Sequence, residues 1–177
     1  MGIPTLISTS TASNSSSIDI TSGIDSTYDE YMFVLTDIGP ATDQVDFEFQ
    51  LNVDGQSGFN ETMTTTYINF YHNEDDGQGG GYDTGQDLAQ ATGGVTLANE
   101  IGNGADESCA GILHLFSPAS TTYVKHFYSH FQTTNFDDGG NDNFGAGYCN
   151  VTGAIDEITF KMSSGNFDGV IQMYGIS

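Results

Sequence analysis

Between Val45 and Val53 every second residue is apolar (Val45, Phe47, Phe49, Leu51, Val53), and those between them, Asp46, Glu48, Gln50 and Asn52, are polar. Side chains that alternate in this way lie on opposite faces of an extended chain, so the segment is a β-strand with one face on a core and the other in water. Similar alternation, or a short apolar run bounded by Gly, Asp, Asn and Ser, recurs along the chain, and no long stretch shows the 3.6-residue period of a helix. The class is therefore all-β. Nine strands are expected, at residues 17–20, 31–38, 45–53, 63–72, 111–116, 123–132, 145–151, 155–162 and 170–174. The run at 31–38 reads as buried on both faces.

Residues 54–58 (DGQSG) read as the turn of a hairpin joining 45–53 to 63–72. Residues 73–85 (NEDDGQGGGYDTG) are too polar and glycine-rich to supply core and read as a long surface loop; 137–142 read as a second acidic loop. Residues 87–104 are compatible with a helical turn or a short edge strand. With 177 residues there is enough chain for one core. The expected architecture is a two-sheet antiparallel β-sandwich, jelly-roll-like rather than immunoglobulin-like, spanning 17–177. The Ser/Thr-rich residues 1–16 are expected to form an extended N-terminal arm that orders by adding a strand to a partner, with Ile3, Pro4, Leu6 and Ile7 as its contacts. Deleting it should then leave the sandwich folded.

The chain carries 24 Asp and Glu against 2 Lys and Arg, a formal net charge of −22. Only Lys125 and Lys161 could neutralise phosphate, so the counterion-release drive for nucleic-acid binding is missing and the overall field repels anionic surfaces. No nucleic-acid or membrane partner is expected. Salt, divalent cations or a positively charged partner should favour the folded state. There is no apolar run of membrane-spanning length, and residues 1–17 do not read as a signal peptide.

Cys109 and Cys149 read as two buried thiols or as one bridge. His126 and His130 share one side of a strand but lie roughly 13 Å apart on it, too far to chelate one ion; His72 and His114 are isolated. Two acidic groups, Glu74, Asp75, Asp76 and Asp83, and Asp137, Asp138 and Asp142, are the candidates for Ca²⁺, although neither has EF-hand spacing. Carboxylate pairs for glycoside hydrolysis carry no information in so acidic a chain, there is no GxSxG, and no catalytic residue or cofactor site other than these calcium candidates is assigned. The sequons at Asn60 and Asn150 have meaning only in a secreted eukaryotic protein. Tyr67, Phe70, Tyr71, Tyr82, Tyr123 and Tyr128 form a set suited either to core and subunit packing or to stacking on sugars.

Residues 17–36 (SIDITSGIDSTYDEYMFVLT), 121–126 (TTYVKH) and above all 160–176 (FKMSSGNFDGVIQMYGI) resemble a group of uncharacterised virion structural proteins, of the capsid-decoration or fibre type, from marine tailed phages. The resemblance spans nearly the whole chain and departs at Val170–Met173, where VIQM replaces a more basic strand. It implies a β-sandwich that assembles as a homotrimer, located on the virion exterior after synthesis in the host cytoplasm. No catalytic residue comes with it. The expected function is a non-enzymatic capsid decoration or cement protein bound to the major capsid protein or other virion proteins. The alternative is a tail-fibre or receptor-binding component that recognises a host glycan through its acidic loops, with Tyr82, Phe136 and Phe144 as loop contacts.

Overall fold

The computed structural model describes residues 2–177 and contains thirteen strands: β1 (Thr5–Ser15), β2 (Ile18–Ile20), β3 (Glu30–Pro40), β4 (Val45–Val53), β5 (Met63–Asn73), β6 (Gln78–Tyr82), β7 (Ala89–Ala91), β8 (Val95–Ile101), β9 (Cys109–Phe116), β10 (Lys125–Asn135), β11 (Gly139–Cys149), β12 (Ile155–Met162) and β13 (Phe167–Ile176). All pairings are antiparallel. One layer runs β1-β13-β3-β9-β10-β11-β5, with β6 and β7 both on the far edge of β5. The other runs β8-β4-β12-β2, and a single bridge, Asn135 to Ile101, joins the two at one corner. The hydrogen-bonded sheet is therefore continuous and nearly barrel-shaped.

The strand order is that of a jelly roll. When β5, β6, β7, β10 and β11 are set aside, the remaining eight strands alternate between layers as β1-β13-β3-β9 over β2-β12-β4-β8, the interleaving of first and last strands that defines that fold. The five remaining strands arise from two insertions, one between β4 and β8 and one between β9 and β12, and together they widen the first layer beyond β9.

Alternating apolar residues of both layers meet between them. Phe33 of β3 packs on Phe160 of β12 with ring centroids 5.6 Å apart, and Phe47 of β4 packs on Phe167 of β13 at 5.4 Å. Farther along, Phe49 meets Phe127 edge-on at 5.1 Å. Each of these rings is buried, and burying one such side chain stabilises by roughly 1.5–3 kcal/mol. Cys109 and Cys149 are both free and buried.

Several expectations are corrected. Residues 45–53 and 63–72 do not form a hairpin: both edges of β4 are taken, by β8 and β12, and β5 crosses to the other layer to pair with β11. The crossing is anchored by Glu61, whose Oε1 accepts a hydrogen bond from the Val53 N–H at 3.1 Å. Residues 73–85 are not one loop but a tight turn followed by β6, an edge strand that needs only backbone to pair. Glycine is required there, because a Cβ on Gly80 would come within 2.2 Å of the Asn69 carbonyl oxygen. The run at 31–38 is buried on one face and only half-buried on the other.

The N-terminal arm is also corrected. Residues 5–15 are β1, paired with β13 from Thr5↔Gly175 to Ser15↔Phe167. Ala12 is buried and Ile7 packs against the core, while Ile3 and Leu6 are exposed; Met1 lies outside the described residues. The first strand of the jelly roll therefore lies within residues 1–16, and the domain begins before residue 17. Removing residues 1–16 is expected to lower the melting temperature by about 10 °C, as a loss of roughly 3–4 kcal/mol does in a chain of this size, and to promote aggregation through the bared edge of β13. Scanning calorimetry of the truncated chain checks this; an unchanged melting temperature would show β1 to be dispensable.

Candidate functional site

The two insertions place β10, β11 and β5 beside β9 in the first layer, and the outward residues of these four strands form one surface. Alternation along β10 sends Lys125, Phe127, Ser129 and Phe131 inward and His126, Tyr128, His130 and Gln132 outward. Register then aligns the outward side chains in rows across the sheet. One row runs Val34–Ile112–His130–Phe144–Ile68–Tyr82 from β3 to β6, and the next runs Met32–His114–Tyr128–Ala146–Thr66. Ile68, Phe70, Tyr82, Ile112, Tyr128 and Phe144 are between 37% and 53% exposed, which is high for residues of their type on adjoining strands.

All four histidines stand on this face. His130 stacks on Phe144 with centroids 4.2 Å apart, and its Nε2 lies 2.5 Å from Asp142 Oδ1. His114 stacks on Tyr128 at 4.6 Å and its Nδ1 bonds Glu30. His126 lies against Tyr148, and His72 faces Asp76 at 3.3 Å. Among the outward residues of these four strands Asp142 is the one carboxylate, and His130 pairs with it. The face is thus aromatic, imidazole-rich and nearly devoid of charge on a protein of net charge −22.

Neither lysine relieves that charge at the surface by itself. Lys125 is fully buried, donating from Nζ to the carbonyls of Tyr123 at 3.0 Å and Val151 at 3.3 Å, and burial pushes its pKa down. Lys161 is exposed but sits directly across from Glu48. Burial raises the Glu48 pKa, with Lys161 pulling against it and Asp46 adding to it; burial likewise raises Asp156, with Asp54 and Glu157 adding to it. Both thiols are pushed up by burial, Cys149 to about 12, so neither is a reactive thiolate at neutral pH.

The acidic segments are used differently from a calcium loop. Asp75 and Asp83 accept hydrogen bonds from the backbone N–H of Gly77 and Gly85, at 2.9 and 2.8 Å, closing their own turns. Asp76 and Asp142 face histidines, Asp137 accepts from Asn73 Nδ2 at 3.0 Å, and the Asp138 carbonyl accepts from Glu74 N. Among the described residues no three His, Cys, Asp or Glu side chains converge as a metal would require. Of the proposed loop contacts, Tyr82 and Phe144 are on strands and lie in the same outer row, and Phe136 is in the β10–β11 turn. The aromatic set divides: Tyr67 is buried, Phe70 and Tyr128 are on the outer face, Tyr71 belongs to the inner face of β5, and Tyr123 is exposed ahead of β10. Ile68, Ile112 and His114 were not distinguishable as surface residues from sequence, because their runs are apolar or aromatic on both faces and periodicity does not say which face meets the core. Comparison with known protein families, curated proteins and solved structures finds no match.

A carboxyl group whose pKa is raised by folding holds its proton more tightly in the native state, so stability rises as the pH falls through the folded value toward the ordinary one. Thermal stability is therefore expected to rise as the pH is lowered from 7 toward the ordinary Glu value of 4.5, and Glu48→Gln with Asp156→Asn should flatten that rise. Melting temperature against pH for both proteins decides it.

Proposed function

We propose that this chain is a structural component of a phage virion, a capsid decoration or cement protein that binds the outer shell as a homotrimer. One observation carries the reading: the charge-poor aromatic face formed by β9, β10, β11 and β5 on an otherwise strongly acidic jelly roll. Cores of protein interfaces are depleted in charge and enriched in aromatic residues, as this face is. Copies of a chain at net charge −22 repel one another through most of their surfaces. Contact through the face poorest in carboxylates, whose acids are paired with histidines, minimises that repulsion, so the occupant assigned to it is a second copy of the same chain. Packing around a threefold axis leaves the acidic surface outward, where it meets solvent or a more basic shell. The role is non-enzymatic, and the protein acts on the particle exterior after synthesis in the host cytoplasm. A fibre or receptor-binding role is the second reading, favoured by a cleft between β5, β6 and β8 that Asn69 and Asn99 line.

Sedimentation of the purified chain is expected to give a trimer, and Ile112→Asp with Phe144→Asp a monomer whose melting temperature stays within a few degrees of the monomeric limit. A monomeric parent protein would remove the assignment of this face. Copy number per virion separates the roles: hundreds of copies fit decoration, and a few to a few dozen fit a tail or vertex position.

A further inference from the structure

The inner side of the same insertion is polar. Asn69 of β5, Asn99 of β8, and Asn135, Asn141 and Asn143 of β10 and β11 are all buried and bonded to one another. Asn135 Nδ2 donates to Asn141 Oδ1 at 2.8 Å, and Asn141 Nδ2 donates to Asn99 Oδ1 at 3.3 Å. Asn69 Nδ2 donates both to Asn99 Oδ1 at 2.8 Å and to Asn143 Oδ1 at 2.9 Å. Asn143 accepts in addition from the Tyr67 hydroxyl at 2.9 Å and donates to Thr133 Oγ1 at 3.0 Å. Two donors onto Asn99 Oδ1 fix which way that amide faces.

The network is complete except at one end. Among the described residues Asn99 Nδ2 has no acceptor and Asn69 Oδ1 no donor within the protein; the two residues are only 4% and 8% exposed, and these atoms are the part of each that stays open to solvent. Both line a cleft of about 370 Å³ at the open end of the sandwich, where β5 and β6 overhang β8. Tyr71, Asp83, Gln86 and Glu100 line it too. Gln86 is fixed by Thr96, which donates to its Oε1 at 2.8 Å, and by its own donation to Asp46 at 3.2 Å. Glu100 has its pKa raised by burial, with Asp46 and Asp83 adding to the effect, and Asp83 and Glu100 are the two carboxylates of the lining.

From this geometry we infer that the cleft is a binding site for an uncharged saccharide. The network holds the two open amide groups in fixed positions at the cleft wall, so a ligand meets them already oriented. Its two open valences are one donor and one acceptor, side by side, the pair that a sugar hydroxyl satisfies from both sides. The Tyr71 ring offers an apolar surface to the C–H face of a pyranose, Asp83 and Glu100 accept hydroxyl protons, and the same two carboxylates exclude anionic sugars. The volume is within the range of small-ligand sites, roughly 300–1,000 Å³. Tyr82 of the outer row also lines the cleft; Tyr71 and Glu100 lie off that row, so substitutions there test the cleft separately from trimerisation through the outer face.

The test titrates the full-length protein with uncharged oligosaccharides of glucose, mannose, galactose and N-acetylglucosamine, and with oligogalacturonate as the charged counterpart. Binding is read by calorimetry and by the asparagine side-chain amide signals in nitrogen-15-edited NMR. At least one neutral oligosaccharide is expected to bind and to shift the Asn99 amide. Tyr71→Ala and Glu100→Gln, both at exposed positions, should each weaken binding by about tenfold or more, and Phe144→Ser on the outer face should leave it unchanged. The inference is overturned if no neutral oligosaccharide binds, if binding is confined to oligogalacturonate, or if it survives both cleft substitutions.

Discussion

At Asn135 the last residue of β10 bridges to Ile101 of β8, and two layers of a sandwich become one sheet. The same residue shapes the turn that follows. Its Oδ1 accepts from the N–H groups of Asp137 and Gly139, at 3.0 and 2.9 Å, while its Nδ2 donates to Asn141. Backbone and side chain thus fix three things together: the corner between layers, the start of β11, and the first link of the buried amide network. With β11 placed, β5 pairs along it from Met63 to Asn73 and in turn carries β6 and β7. An eight-strand jelly roll ending at β9 would present neither the broad outer face nor the cleft.

How legible this was from sequence depended on what each strand needed. The bounds of β4 follow from alternation alone, because it buries one full face of apolar side chains; β12 alternates from Ile158 to Met162 and enters through a register shift after Ile155. For β5 the strand was readable and its partner was not: period two reports a face, while pairing depends on edges that distant segments occupy. β1 and β6 lacked a signal of the same kind. β1 is mostly Ser and Thr on an edge and buries little beyond Ala12 and Ile7, and β6 contains three consecutive glycines that pair by backbone only. The amide network was hidden for a related reason. Asn is common in turns, and nothing in GGNDNFG marks Asn141 and Asn143 as inward residues until β11 is set against β10 and β5.

Charge sets the second constraint. Almost every surface of this chain repels its like, and salt screens that repulsion over about 8–10 Å at moderate ionic strength. Carboxylates on the outer sheet face would extend the repulsion to it, but alternation there puts His, Tyr, Phe and Ile outward, and pairs the one acidic residue with His130. Histidine can face an acid without adding a permanent cation, and three of the four do so.

The two faces of the inserted strands are written by the same alternation and differ in every chemical respect. On β11, Phe144 faces outward between His130 and Ile68, while Asn143 and Asn141 beside it face inward to the amide network. On β5, Ile68 and Phe70 face outward while Tyr67 and Asn69 face inward. A one-residue slip of either strand would exchange the faces, putting Phe144 among buried amides and asparagine on the aromatic surface, and each misplaced amide would lose its partners. The polar interior therefore fixes the register that the outer surface requires. The apolar core reaches the inserted strands through Met63, Phe127, Phe131 and Cys149, and the amides add directional bonds where those strands run beyond it. In this arrangement the amides are both the lining of the cleft and the alignment device of the face behind it.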